Sequence, residues 1–253
     1  MKLLLTGASG GIGSAIAHQL NSLGVELILQ GRDRAALNNV AAALTRQDVP
    51  CELVEADLNV LEQRQHLINV AKTKKIDALI NNAGVNLFGP FQDSDIAALI
   101  QTNVICTMEL TQALLPTLLE SDTSKIVNIG SAFGSIGYPG YATYCASKFA
   151  IKGFTEALHR EFSSTNLSVL YVSPRATQTK MNSDPVMALN NALGVTSDSV
   201  DLVARQVVKS ILTDRKRTQI GLVEYLQTKI NACAPFLVDR AIAKQLSTIQ
   251  SYF

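Results

Sequence analysis

Tyr144 and Lys148 stand four residues apart in a stretch, Tyr141 to Phe162, that reads as helix, so both side chains project from one face. An ammonium beside a phenol favours the phenolate. Bringing a tyrosine from about 10 toward 7 takes about 4 kcal/mol, at about 1.4 kcal/mol per pKa unit. A tyrosine so placed exchanges a proton near neutral pH. Ser131 follows an apolar, strand-like run, Ile126 to Ile129, and lies shortly before Tyr144, where it offers a second hydroxyl to the same carbonyl. Asn103 puts a polar amide beside Val104 and Ile105 in a helix-like stretch. Two hydroxyls, an ammonium and an amide together suit proton transfer to and from a carbonyl oxygen.

A second constellation sits at the beginning of the chain. Leu3 to Leu5 read as a strand that runs into Thr6, Gly7, Ala8, Ser9, Gly10, Gly11, Ile12 and Gly13, after which a helix opens. In such a turn the backbone N–H groups and the helix dipole meet a pyrophosphate, and the missing side chains allow close approach. Gly7, Ser9 and Gly11 also satisfy the GxSxG pattern of a hydrolase nucleophile. That site needs earlier strands for its oxyanion hole, and only a handful of residues precede Ser9, so dinucleotide binding is the stronger reading. The second apolar run ends in Gln30, Gly31 and Arg32. An acidic residue here suits a free ribose 2′-hydroxyl, whereas an uncharged position with a cation beside it suits a 2′-phosphate, so NADP(H) is favoured over NAD(H).

The elements that must position these groups are legible as periodicity. Short apolar runs at Leu3 to Leu5, Val25 to Leu29, Leu53 to Val54, Ala78 to Ile80, Ile126 to Ile129 and Val169 to Val172 alternate with helix-period segments. This predicts a doubly wound parallel sheet between two helix layers, an α/β/α Rossmann fold. In the first helix Ile12, Ile16, Leu20 and Leu23 line one face, and Gly24 supplies a left-handed stop. The third opens with Asn59 and Glu62 in capping-box spacing and closes on Lys72, Lys74 and Lys75. No linker or repeat interrupts the pattern, so residues 1–253 read as one domain. It carries a flap over about 180–200 containing Val186, Met187, Leu189 and Leu193, a last strand at Thr218 to Leu222, and a helical extension over about 223–253 broken at Pro235.

With 47% hydrophobic and 17% charged residues the chain is built to fold, and a net charge of +1 gives no global field for nucleic acid. Cys51, Cys106, Cys145 and Cys233 are too scattered for a disulfide framework, and His18, His66 and His159 lack ligand-spaced partners, so no metal is expected. The opening segment is too short for a signal peptide and no stretch reaches membrane-spanning length, which points to a cytoplasmic protein.

In order and spacing over about the first 180 residues the chain resembles the single-domain short-chain dehydrogenase/reductase family. The match comprises TGxxxGxG from Thr6 to Gly13, an aspartate at Asp57, NNAG from Asn81 to Gly84, Asn103, Ser131, and YxxxK from Tyr144 to Lys148. The resemblance implies that Tyr144 is the general acid in reduction, Ser131 polarises the carbonyl, and Lys148 grips the nicotinamide ribose and lowers the tyrosine pKa. Asn103 would hold a water linking Lys148 to solvent. Asp57, with Leu58, would meet the adenine, and Asn82, Ala83 and Gly84 would line the cofactor cleft. It further implies a small carbonyl or alcohol substrate and a homodimer or homotetramer. A 3-oxoacyl-thioester reductase using the same residues is the alternative enzyme, and a non-catalytic dinucleotide-binding sensor or scaffold the alternative of another class.

Two departures from the family pattern bear on substrate. After the sixth strand the family has Pro-Gly and then a threonine that contacts the nicotinamide amide; here Pro174 is followed by Arg175, with Thr179 in the threonine's place and Thr177 nearby. Arg175 either reaches the substrate mouth, where it would favour an anionic or thioester-linked substrate, or is a solvent-facing or structural arginine. The C-terminal extension is expected to cover the pocket or a partner subunit, with membrane-surface association as the competing reading.

Overall fold

The computed structural model describes residues 1–179 and 181–253. Strand β1 (Lys2–Leu5) leads to helix α1 (Gly11–Ser22), β2 (Glu26–Gly31) to α2 (Arg34–Ala42), and β3 (Cys51–Glu55) to α3 (Leu61–Lys74). After β4 (Ala78–Asn81), helix α4 (Ile96–Ile100) runs through a π turn at Gln101–Ile105 into α5 (Cys106–Leu119). Then follow β5 (Ser124–Ile129), α6 (Ala142–Glu161), β6 (Leu167–Ser173), α7 (Asp184–Ala192), α8 (Val200–Leu212) and β7 (Arg217–Gln219). Three helices end the chain, α9 (Leu222–Cys233), α10 (Pro235–Ala243) and α11 (Leu246–Gln250). The seven strands form one parallel sheet in the order β3-β2-β1-β4-β5-β6-β7, the doubly wound arrangement.

Both faces of the sheet are buried, as its continuous apolar strands require. Alternation sends Leu3, Leu5, Leu27, Leu29, Ala78 and Ile80 into one core with Ile16 and Leu20 of α1 and Val203 and Val207 of α8. It sends Leu4, Ile28, Leu79, Ile126 and Val169 into the other, with Leu67 of α3 and Leu110 and Leu114 of α5.

The element ends differ from the sequence reading in places. Gly24 is left-handed (φ 77°) and its N–H bonds Asn21 at 2.9 Å, closing α1 as expected. The capping box at α3 does not form: Val60 is the N-cap, without a side-chain bond, and Asn59 Oδ1 accepts from Thr102 instead. The last strand stops at Gln219 rather than Leu222, because Gly221 (φ 91°) turns the chain into α9. The flap contains a true helix, α7, and the extension breaks twice, before Pro235 and again between α10 and α11.

Under the site, the ring of Tyr171 on β6 fills the space that Gly130 and Gly134 leave without side chains; a Cβ on Gly130 would overlap the Tyr171 hydroxyl. Gly130→Ala is therefore expected to cost about 1–3 kcal/mol in urea denaturation. Tyr171→Val in the same chain should restore part of it, with a coupling of at least about 1 kcal/mol. Simple additivity of the two changes would contradict this packing.

Candidate active site

At the C-terminal ends of β1 and β4 the strand order reverses, which opens a crevice between their following turns. The two turns are tied to each other. Thr6 Oγ1 accepts from the N–H groups of Asn82 and Ala83, each at 3.0 Å, and donates to Ile80 O at 3.2 Å. Asn82 Nδ2 donates to Thr6 O at 3.0 Å and Gly7 O at 3.1 Å. Gly7 is left-handed (φ 64°), and its N–H donates to Gln30 Oε1 at 2.9 Å. A Cβ on Gly13 would overlap the Gly7 carbonyl, so these two glycines shape the turn while Gly10 and Gly11 form its outer rim. Gly10 is the N-cap of α1 with no side-chain bond, and no acid sits in the first turn. Main-chain N–H groups and an uncompensated positive helix end therefore face the crevice, which fits a dinucleotide pyrophosphate. Ile12 packs its side chain on the core beneath.

At the far end of the crevice, a Cβ on Gly31 would come within 2.9 Å of Ser9 Oγ, so the glycine preserves space beside the serine. Arg32 is exposed and has no ion-pair partner among the described residues, whereas Asp33 caps α2 through Ala36 N at 3.1 Å. Asp57 Oδ1 accepts from Asn59 N at 2.9 Å, and Leu58 is buried. Their turn is fixed by the buried Arg64, which donates to Leu58 O and pairs with Glu109 at 2.6 Å.

The third part lies beyond β4 and β5. Ser131 caps the short 3-10 turn Ala132–Gly134, its Oγ accepting from Phe133 N at 3.2 Å. Tyr144 and Lys148 lie on α6 as expected, with Lys148 Nζ 5.6 Å from the Tyr144 ring centre and donating to Ile129 O at 3.1 Å. Gly84 approaches Lys148 and Asn103 closely, a Cβ there falling 3.1 Å from Asn103 Oδ1 and 3.8 Å from Lys148 Nζ. Asn103 sits in the π turn. Its Oδ1 accepts from Val85 N at 2.8 Å, and its Nδ2 donates to Val85 O at 2.9 Å and Ser147 Oγ at 3.1 Å. Both amide hydrogens are thus committed to protein, and the side chain braces the loop after β4 against α6.

The electrostatics of the chain alone run against the lowering of the tyrosine that the resemblance implies. Burial pushes the Tyr144 phenol up to about 12, with the facing Ser131 hydroxyl acting in the opposite direction. Burial also brings Lys148 down to about 8. In the chain alone desolvation is the largest influence on the phenol, and the Lys148 hydrogen bond goes to the Ile129 carbonyl.

On the other side of the site, Ala132 N donates to Pro174 O at 2.9 Å, joining the Ser131 turn to the end of β6. Thr177 is buried with its hydroxyl on Arg175 O at 2.9 Å, while the Thr179 methyl lies 3.3 Å from where a Cβ on Gly11 would sit, at the glycine rim. Arg175 does not stand free at a mouth. Nε and Nη2 bond both oxygens of Asp198, at 2.9 and 2.7 Å, and Nη1 pairs with Glu224 at 3.4 Å. The guanidinium fastens both ends of the flap to each other and to α9, with each of its three nitrogens turned to a carboxylate of the protein.

Several residues that build the site were missed in the sequence, namely Arg64, Ser147, Thr111, Asn128 and Thr155, and others were named without their bonding role: Thr6, Gln30, and Asn81, which joins the chain Thr111–Asn81–Asn128–Thr155 that crosses beneath the site at 2.8 to 3.0 Å. A signal existed for two, since Gln30 and Asn128 interrupt apolar runs, and a polar group in a buried strand must find a partner.

The fold and the site together define a dinucleotide-binding oxidoreductase. The short chain dehydrogenase family pattern matches residues 2–188, and the chain belongs to that family. It is 31% identical over 215 residues to the ketoacyl reductase HetN of Nostoc sp., covering 83% of this chain and 74% of the relative. A short-chain dehydrogenase from Sphingobium yanoikuyae in complex with NADPH superposes with a TM-score of 0.77 at 27% identity, over 94% of this chain and 95% of that one. A short-chain dehydrogenase/reductase from Burkholderia phymatum in complex with NAD has the same fold, with a TM-score of 0.84 at 23% identity over 93% and 94% of the two chains.

Removing the Arg175 guanidinium leaves Asp198, 5% exposed, without a counter-charge. Arg175→Ala is expected to lose about 2–4 kcal/mol of stability in urea denaturation, with Arg175→Lys losing less. Unchanged stability together with a selective fall in kcat/KM for anionic ketones would return the residue to substrate binding.

Proposed function

We propose that the protein is an NADP(H)-dependent oxidoreductase that interconverts a ketone and a secondary alcohol, with Tyr144 as the acid in reduction. The observation that carries this reading is the convergence of the Tyr144 phenol, the Ser131 hydroxyl and the Lys148 ammonium at the strand ends beside an open glycine turn. When bound, the nicotinamide supplies the hydride, and the protein's part is placement and electrostatics.

The residues present fit that cofactor. The α1 N-terminus with Gly10 and Gly11 would hold the pyrophosphate, Asp57 and Leu58 the adenine, and Ala83, Gly84 and Thr179 the nicotinamide side. Gly31, Ser9 and the exposed Arg32 favour a 2′-phosphate over a free hydroxyl. Lys148, fixed on Ile129 O at 3.1 Å, keeps its remaining N–H groups for the ribose and for the Tyr144 phenol. Ser131 holds the substrate carbonyl, and Tyr144 gives its proton to the oxygen as charge develops there. Because these groups stand on α6 and at the end of β5, little reorganisation precedes the step.

An apolar substrate fits the walls. Phe88, Phe133, Tyr138 and Tyr141 pack around Tyr144, and Val186 and Leu189 of α7 turn inward, while Met187 points out. The relation to HetN, named a ketoacyl reductase, favours a 3-oxoacyl thioester as the second substrate class.

The test is titration with NADPH and NADH followed by turnover of a panel of ketones and acyl thioesters. NADPH should bind more tightly, with about a tenfold loss in Arg32→Ala that NADH binding does not share. Each such contact is worth about 1.4 kcal/mol. Tyr144→Phe should keep cofactor binding and lose about a thousandfold in kcat. Equal use of both cofactors would overturn the preference, and full activity in Tyr144→Phe would overturn the mechanism.

A further inference from the structure

Helix α9 is amphipathic the wrong way round for a surface helix, and α10 beside it leaves Phe236 and Leu237 exposed. Helices on a soluble domain turn apolar residues inward, yet neither α9 nor α10 has a single buried residue. The side chains of α9 that turn toward the body are polar: Glu224 on Arg175, and Asn231, whose Nδ2 donates to Ser135 O at 3.0 Å. Leu222, Val223, Leu226 and Ile230 face outward, joined by Phe236 and Leu237 at the start of α10, and Leu222 is 74% exposed. Two adjoining helices with large apolar side chains exposed make a face that binds something.

Charge identifies the occupant. Between Leu222 and Phe253 the cations are Lys229, Arg240 and Lys244 and the carboxylates Glu224 and Asp239. Glu224 is turned inward on Arg175, so Asp239 alone answers three exposed cations. Two of the cations lie over aromatic rings of the same face. Lys229 Nζ is 5.4 Å from the Tyr225 ring and Arg240 Cζ 5.8 Å from that of Phe236, so their stems cover apolar surface and their heads reach its rim. A second copy seated by a two-fold axis would set this cationic rim against itself. An anionic phospholipid surface answers both features, taking the apolar side chains below its headgroups and the cations among them. At 12 and 9 residues the helices are too short to span a bilayer. Among the described residues no helix is long and apolar enough to do so.

We propose that α9 and α10 dock in the plane of an anionic phospholipid surface. The inner side of α9 touches the end of the Ser131 turn and the flap clamp, so docking sets the site at a fixed attitude to the lipid. The docking is independent of the chemistry assigned to the site.

Co-sedimentation of the full chain with extruded vesicles tests it, using phosphatidylcholine alone and phosphatidylcholine with about a third phosphatidylglycerol, with light scattering on the same samples. Binding should require phosphatidylglycerol and weaken as salt rises. Each cation near such a surface contributes about fivefold, so Lys229→Gln with Arg240→Gln should weaken binding roughly twentyfold. Leu226→Glu with Phe236→Glu should abolish it while the thermal melt is kept, because both side chains are exposed. No binding by folded wild type, equal binding to both vesicles, or unaltered binding by the glutamate variant would overturn the proposal. So would a wild-type oligomer that the glutamate variant breaks into monomers, which would make this face a contact between copies.

Discussion

Lys148 is an ammonium placed where water does not reach, and the architecture around it is organised by that cost. Taking it from an ordinary 10.5 to about 8 corresponds to about 3 kcal/mol against the charged form at neutral pH. The folded chain carries that penalty in full below about pH 8 and loses it as pH rises from there toward 10.5, because the unfolded chain holds the proton longer. Two apolar cores on opposite faces of the sheet offset it. The ammonium has one fixed acceptor, the Ile129 carbonyl, among the described residues, and its other N–H groups remain for the partners proposed above.

Polar groups that do not contact a reactant hold the surroundings rigid. The line from Thr111 through Asn81 and Asn128 to Thr155 ties β4 and β5 to α5 and α6, and Asn103 ties the loop after β4 to Ser147 on α6. Thr6 and Asn82 do the same between β1 and β4. In each case a polar side chain at the C-terminal edge of the sheet or beside it bonds a neighbouring element, the kind of contact by which such a network specifies one geometry.

Much of this was legible in the residues. The short apolar runs such as Leu3 to Leu5 between helix-period segments and the four-residue spacing of Tyr144 and Lys148 fix layers and faces locally, without reference to distant contacts. What depended on distant contacts was not legible. Asn59 looked like a cap because its local spacing allows one, but Thr102 bonds its side chain. Arg175 looked like a substrate arginine because no local feature shows that Asp198 and Glu224 converge on it. The outward apolar face of α9 was hidden for the same reason, since a helical pattern gives two faces and does not say which one the body takes.

Proposed as the proton donor, Tyr144 is pushed up to about 12 by burial and Lys148 is brought down to about 8, an order of titration that makes Lys148 the nearer group. This order is tested most directly by the pH dependence of kcat/KM for NADPH-dependent ketone reduction between pH 6 and 10. A level profile to about pH 8 and a decline above it, as Lys148 loses its proton, is expected. A decline centred between about 6 and 7, the mark of a phenol whose pKa has been lowered toward neutrality, would contradict it.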